Sequence, residues 1–288
     1  MVQTVSIIGI GRVGGALALA LDKCGYKVQN LVSRSGQNAD KISALLSNKP
    51  NITNNSAEIR SDIIFIAAQD SEIEKVAENL AENLTCNPIV FHTSGSLSSE
   101  ILDVLRQKNC RVASLHPLIS ISNSVIGAER FADAYFCTEG DNEAVNIGNR
   151  IVTDFGGKAF SIKTEYKPLY HASAVVACGH LVALFSTAIE MLTNCGLDAE
   201  TSQKILLPLV KSTVENLQTQ TPAQALTGTF ARTDAQTMQK HLASLADNNE
   251  LLNIYTLLGK QSLKLAEKQG ADLTKINEML RILDSNKS

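Results

Sequence analysis

Lys167 and His171 lie four residues apart, just where Pro168 marks the start of a long apolar segment. At that spacing both side chains share one face of a helix. A helix N-terminus adds its positive dipole end, which favours anions. A cation beside a ring that titrates near neutrality suits the capture of a carboxylate and the delivery of a proton. Hydride addition to C=O or C=N has these needs, because the new alkoxide or amine must be stabilised or protonated. Tyr170, on the same turn, is placed against substrate. The plainer readings are a solvated lysine and a hydrogen-bonded interfacial histidine. Two further stretches bring polar groups to the ends of apolar runs: His92-Thr-Ser94-Gly95 and Leu115-His116-Pro117. Ser94 and His116 join Lys167 and His171 as catalytic candidates, and His92 and Ser94 also count as substrate contacts. A second polar cluster holds Gly228, Arg232, Asp234, Thr237 and His241. Arg232 and Asp234 are expected to line the substrate cleft. The bland alternative there is a solvated helix face.

These residues need a scaffold, and the clearest part of it is at the start of the chain. Val5 to Ile8 reads as a buried strand, Gly9-x-Gly11-Arg12-Val13-Gly14 as a turn, and Ala16 to Leu21 as a helix. Strand, glycine turn and helix in that order are what a dinucleotide-binding fingerprint requires. Gly9 permits the turn, Gly11 lets a pyrophosphate approach, and Gly14 lets the helix pack on the strand. Arg12 and Val13 complete the phosphate-facing turn. The second strand, Lys27 to Val32, ends in Ser33-Arg34-Ser35 and not in an acid. An acid about 20 residues past the glycines would hold an NAD ribose. A guanidinium flanked by hydroxyls suits a 2′-phosphate instead. NADP is therefore favoured over NAD, the alternative being that Arg34 is a solvated loop cation.

Ser61 to Ala68 is a nearly continuous apolar run and reads as a parallel strand buried on both faces. Its end, Ala67-Ala68, is assigned to the cofactor. Further strands are expected at 87–91, 111–115, 134–138 and 158–162. Helices are expected at 39–47, 70–84, 98–108 and 143–155. In an open α/β sheet ligands bind outside the carboxyl ends of the strands, where His92, Ser94 and His116 fall. From about residue 164 the strand signal stops, and helices are expected near 168–195, 199–218, 234–247, 249–269 and 272–284. Thr233-x-x-Gln236 fits a capping box, with Ala235, Met238, Leu242 and Leu245 on one apolar face behind it. The reading is a doubly wound parallel sheet over 1–163, followed by an all-α domain over 164–288.

Composition narrows the function classes. The 288 residues are 44% hydrophobic and 19% charged with net charge −3, which gives no reason to expect nucleic acid or an anionic membrane. Ala172 to Leu192 is long enough to span a bilayer, but it holds His180 and Glu190 and reads as a buried central helix. Six scattered cysteines without a CxxC pair read as reduced thiols in a cytoplasmic protein. Met1 to Thr4 runs straight into the first strand, so no secretory leader is expected. The five histidines show no metal-ligand spacing.

The ordered set Gly9-Ile-Gly-Arg-Val-Gly14, Ser33-Arg34-Ser35, His92-Thr-Ser-Gly95, Leu115-His-Pro117, Lys167-x-x-Tyr-His171 and Leu226-Thr-Gly228…Arg232-x-Asp234 resembles a known group. These are Rossmann-like NADP oxidoreductases with a helical C-terminal domain of unassigned function. They are similar to pyrroline-5-carboxylate reductase, the β-hydroxyacid dehydrogenases and prephenate dehydrogenase. The resemblance covers nearly the whole chain. It implies a C-terminal domain of the 6-phosphogluconate-dehydrogenase-like type, a substrate cleft between domains, and a homodimer through the helical domain. The resemblance supplies no substrate; the glycine loop with the Lys167 and His171 helix terminus points to hydride transfer to or from a small anionic carbonyl, imine or hydroxy acid, and the alternative, an NADP-binding sensor or scaffold without turnover, is motivated by the departure at Gly179. Gln69, Gly179, Thr229 and Thr233 depart from the pattern, and Gly179 stands where an asparagine is common.

Overall fold

A computed structural model describes residues 3–34, 36–55 and 59–285. The chain divides into two compact units, Met1–His180 and Leu181–Ser288.

The first unit alternates strands and helices: β1 (Thr4–Ile8), α1 (Arg12–Lys23), β2 (Lys27–Val32), α2 (Gln37–Ser43), β3 (Asn51–Thr53), β4 (Ile63–Ile66), α3 (Asp70–Asn83), β5 (Ile89–His92), α4 (Asp103–Arg106), β6 (Arg111–Leu118), α5 (Ser124–Arg130), β7 (Tyr135–Gly140), α6 (Asn142–Asp154), β8 (Lys158–Ser161) and α7 (Lys167–Ala177). The strands form one sheet in the order β3-β2-β1-β4-β5-β6-β7-β8. All neighbours are parallel except β6 and β7, which run antiparallel, so the expected doubly wound sheet is parallel but for one pair.

Alternation along the strands sends side chains to two apolar layers. Ile7, Phe65 and Phe91 join Leu17, Leu21, Ile151 and Val152 on the α1 and α6 face. Ile8, Ile64, Ile66 and Val90 join Ile73, Ala77, Leu80 and Leu105 on the α3 and α4 face. Strands covered on both sides must be apolar at nearly every position, which is why β4 reads Ile-Ile-Phe-Ile and is wholly buried.

Three elements depart from the sequence reading. β3 is three residues long and carries too little pattern to register. α5 hides behind Gly127, a poor helix former. A Cβ there would stand 2.7 Å from Ile121 Cγ2 and 3.2 Å from Ala16 Cβ, so the glycine lets α5 close on α1. β6 extends through Pro117, because the strand has passed the end of its β5 pairing and only β7 remains beside it. The first unit also extends past residue 163, since α7 opens on the fully buried Lys167 and packs with the sheet.

The second unit is helical. α8 (Gly179–Asn194) begins at the division and is followed by α9 (Ala199–Thr219), α10 (Pro222–Ala225), α11 (Gly228–Ala231), α12 (Ala235–Leu245), α13 (Asn249–Lys268) and α14 (Leu273–Ser285). Met238, Leu242, Leu252, Leu263, Ile276, Met279 and Leu283 form its core, so the α12 stripe faces inward as expected. The cap of α12 is corrected by one residue: Asp234, not Thr233, accepts from the Thr237 amide at 3.0 Å. The expected single helix over 168–195 is two helices broken at Cys178. Nor is 172–192 buried within one chain. Residues 164–194 are long and apolar enough to cross a membrane by length and composition, yet no residue of the most apolar stretch within them is buried. Val182 is 68% exposed, and on α9 Leu209 is 63% exposed.

Candidate active site

The turn after β1 is held open for an anion. Gly9 has φ +94°, and a Cβ there would stand 2.6 Å from the Ala67 carbonyl oxygen, so only glycine fits. A Cβ on Gly14 would run into the Gly9 carbonyl, which explains the close contact of α1 with the turn. At Gly11 a Cβ would meet nothing within 4 Å: the space beside the backbone is empty. Gly11 caps α1 without a side-chain acceptor, so the first amides of the helix are left to a ligand. A cavity of about 330 Å³ continues from these glycines past Ser33, Arg34, Ala67, Ala68 and Glu72. Arg12 and Arg34 are exposed, and Arg34 Nη1 lies 3.4 Å from Glu72 Oε2. Val13 packs partly against the core. Ser35 lies outside the described residues. A glycine cradle, uncapped amides and an exposed guanidinium fit the phosphates of a dinucleotide.

The polar candidates gather at the ends of β5 and β6. The segment after β5 is built by its own side chains. His92 is fully buried, with Nδ1 accepting from the Ser94 amide at 3.2 Å and Nε2 3.1 Å from the Ser98 carbonyl. Burial drives its pKa down to about 3. Both ring nitrogens are engaged, so His92 shapes the loop and the expected contact with substrate is not available to it. Ser94 Oγ likewise accepts from the amides of Ser96 and Leu97 at 3.1 and 3.0 Å. Ser96 Oγ in turn donates to Asp70 at 2.6 Å, fastening the loop to the start of α3.

α7 presents Lys167, Tyr170, His171 and Ala174 on its less exposed face, the i, i+3, i+4, i+7 pattern of a helix lying on a surface. Lys167 is not a surface clamp. Its Nζ donates to Ser114 Oγ at 2.8 Å and to the Ser94 carbonyl at 3.3 Å. Burial lowers its pKa, opposed by Cys137, Glu139 and Asp70. Glu139 is buried too, and accepts from the Ser99 amide and hydroxyl at 2.8 and 2.9 Å. His116 Nδ1 lies 2.7 Å from the Tyr170 hydroxyl. Its pKa is pushed down to about 4, first by burial and then by Lys167 and His171. The His116 and His171 rings meet edge-on at 5.9 Å and close over Gly95. A Cβ on that glycine would stand 2.5 Å from His171 Nδ1 and 2.8 Å from His116 Nε2. His171 Nδ1 is buried with no hydrogen-bond partner. A cavity of about 470 Å³ opens beside both rings, walled by Pro117, Ile119, Ala174 and Val175.

Five residues packed around these side chains are not among the sequence candidates: Gly95, Ser114, Glu139, Asp70 and Cys137. Gly95 has a signal, as the glycine closing a polar tetrapeptide at a strand end. Ser114 and Cys137 sit inside apolar strands and give none. In the second unit Arg232 ends α11, and the Asp234 carboxylate is spent on the cap of α12.

Residues 2–117 match the Rossmann-like domain, and residues 134–262 match a domain of unknown function, DUF2520. The pairing agrees with the sequence resemblance. β7 and β8 fall within the second match although they complete the first unit's sheet. No curated protein matches the sequence. Protein TM1727 from Thermotoga maritima is 25% identical with TM-score 0.76, covering 93% of this chain and 100% of its own. Protein BF3122 from Bacteroides fragilis is 21% identical with TM-score 0.73, covering 91% and 98%. Pyrroline carboxylate reductase from Plasmodium falciparum, solved with NADP bound, is 15% identical with TM-score 0.60, covering 92% and 98%.

Proposed function

We propose that the chain is an NADP-dependent oxidoreductase acting on a small carbonyl, imine or hydroxy-acid compound. One observation carries this reading: an open glycine cradle and a half-buried histidine pair stand at the carboxyl ends of strands of one sheet. The fold shared with a reductase that binds NADP supports it. Bound NADP(H) would supply or take up a hydride at the substrate carbon. The residues of the chain do the rest. His116 and His171 border the 470 Å³ cavity and meet the substrate oxygen or nitrogen. Lys167 lies close enough to depress the His116 pKa, and the same charge stabilises an oxyanion formed there. Pro117, Ile119 and Val175 keep water from the reacting atoms.

The test is a titration with NADPH and NADH read by thermal shift. NADPH is expected to bind more tightly, and Arg34→Ala to remove about 1.5–3 kcal/mol of that preference, the usual worth of a charge-assisted hydrogen bond. Failure of both dinucleotides to stabilise the protein would overturn the assignment. Binding without turnover on a panel of carbonyls and imines would favour a sensor.

The same proposal covers assembly. Val182 on α8 and Ile205, Leu207 and Leu209 on α9 are exposed apolar side chains, which a second copy of the chain would cover. Sedimentation should give a dimer that Leu209→Glu weakens. A monomeric wild type, or one that partitions onto lipid vesicles, would overturn this.

A further inference from the structure

The Tyr170 hydroxyl, expected at the substrate, lies instead between two protein groups. These are His116 Nδ1, hydrogen-bonded at 2.7 Å, and the nearby thiol of Cys137. Cys137 is the residue directly opposite His116 in the antiparallel β6–β7 pair, and it is fully buried. Burial raises both the thiol and the phenol above their ordinary pKa values, so each keeps its proton at neutrality. Burial has the opposite effect on His116, which stays neutral. Three neutral groups in a row then share their protons in one of two ways. The phenol can donate its proton to Nδ1. Alternatively, Nδ1–H can donate to the phenol oxygen while the phenol donates to sulfur. The first pairs a good donor, the phenol, with a good acceptor, the imidazole nitrogen. The second spends the phenol proton on sulfur, a weak acceptor.

We propose that Tyr170, backed by Cys137, holds His116 as the tautomer with its proton on Nε2. The site then presents a neutral N–H donor on the Gly95 side, next to His171 Nδ1. A neutral imidazole donor polarises a carbonyl without a charge that the apolar wall of Pro117 and Ile119 would penalise. Tyr170 and Cys137 are positioning residues here, since they act through His116. The value of that donor to catalysis rests on the oxidoreductase reading, but the tautomer does not.

The experiment is a long-range ¹H–¹⁵N correlation spectrum of the full chain labelled with ¹⁵N-histidine, at pH 7.5. His116→Gln assigns the His116 signals. In wild type Nδ1 should appear as a bare ring nitrogen and Nε2 as a protonated one. In Tyr170→Phe the two signals should move toward each other as the tautomers mix, and Cys137→Ala should move them the same way by less. His241, whose Nδ1 lies 2.7 Å from the Tyr255 hydroxyl, is the internal control and should stay fixed in both variants. A proton on Nδ1 in wild type would overturn the proposal, as would unmoved signals in Tyr170→Phe. If Tyr170→Phe does not fold, the wild-type spectrum decides alone. Failure to bind NADPH would count against the proposed function and would not alter the His116 tautomer that the spectrum measures.

Discussion

Among the described residues two histidine–tyrosine pairs occur, His116–Tyr170 and His241–Tyr255. In both, Nδ1 lies 2.7 Å from the hydroxyl and the rings meet edge-on at 5.7 Å. The second pair ties α12 to α13, where Tyr255 also meets Phe230 and burial pushes its pKa up to about 12. The first joins α7 to the end of β6, beside an unpartnered nitrogen, a buried ammonium and an open cavity. The geometry of the pair is therefore not what makes a site. What differs is the setting: strand ends, where the backbone stops pairing with itself, against the packed flank of a helical bundle.

The sharpest way to break the comparison is to remove each ring. His116→Gln should lower turnover about 100-fold or more, the usual worth of a proton-handling side chain, whereas His241→Gln should leave turnover near wild type. Equal losses in steady-state assays would show that both pairs serve the chemistry. Gly95→Ala should approach the His116 effect, because a misplacement of about 1 Å can cost about 100-fold. An active Gly95→Ala enzyme would mean that the rings need not close over that glycine.

Acid distinguishes the regions next. His92 and His116 titrate in the folded state near 3 and 4, well below the unfolded value of about 6.5. Between those values the unfolded chain binds more protons, so stability falls as pH drops from about 6.5 toward 4, by up to about 1.4 kcal/mol per pH unit for each histidine. Urea midpoints from pH 7 to pH 5 should show the decline. His116→Gln should make it shallower. The same slope in that variant would place the titration elsewhere.

The smallest effect should be shared. Tyr170→Phe and Tyr255→Phe each lose one partly buried hydrogen bond, about 1 kcal/mol of stability in urea. Only Tyr170→Phe should also change turnover, and a change in both would erase the distinction.

The fold could be read from the sequence wherever pattern and punctuation agreed. Gly9, Gly11 and Gly14 after an apolar run, and the all-apolar Ile63–Ile66, left little choice of element. Pro117 hid the end of β6 and Gly127 hid α5, because both residues oppose their local element and are tolerated for tertiary reasons. The site was legible as a set of positions and less so as roles. Lys167 and His171 do share a helix face. That Lys167 is buried against Ser114 depends on β6 lying beneath α7, which spacing along one helix cannot reveal. Cys137 reaches the site through strand pairing with His116, a partnership between residues far apart in the chain.

Lys167 also has a mechanical meaning. One ammonium joins the helix that carries it, the loop after β5 through the Ser94 carbonyl, and β6 through Ser114. Beyond Ala174 the rest of α7 is exposed up to its break at Cys178. Such a helix is pinned at one end and frays from the other. Backbone amide exchange should slow steeply from Ala177 back toward His171, so that the last part of α7 to open is the part that carries the histidine and the lysine.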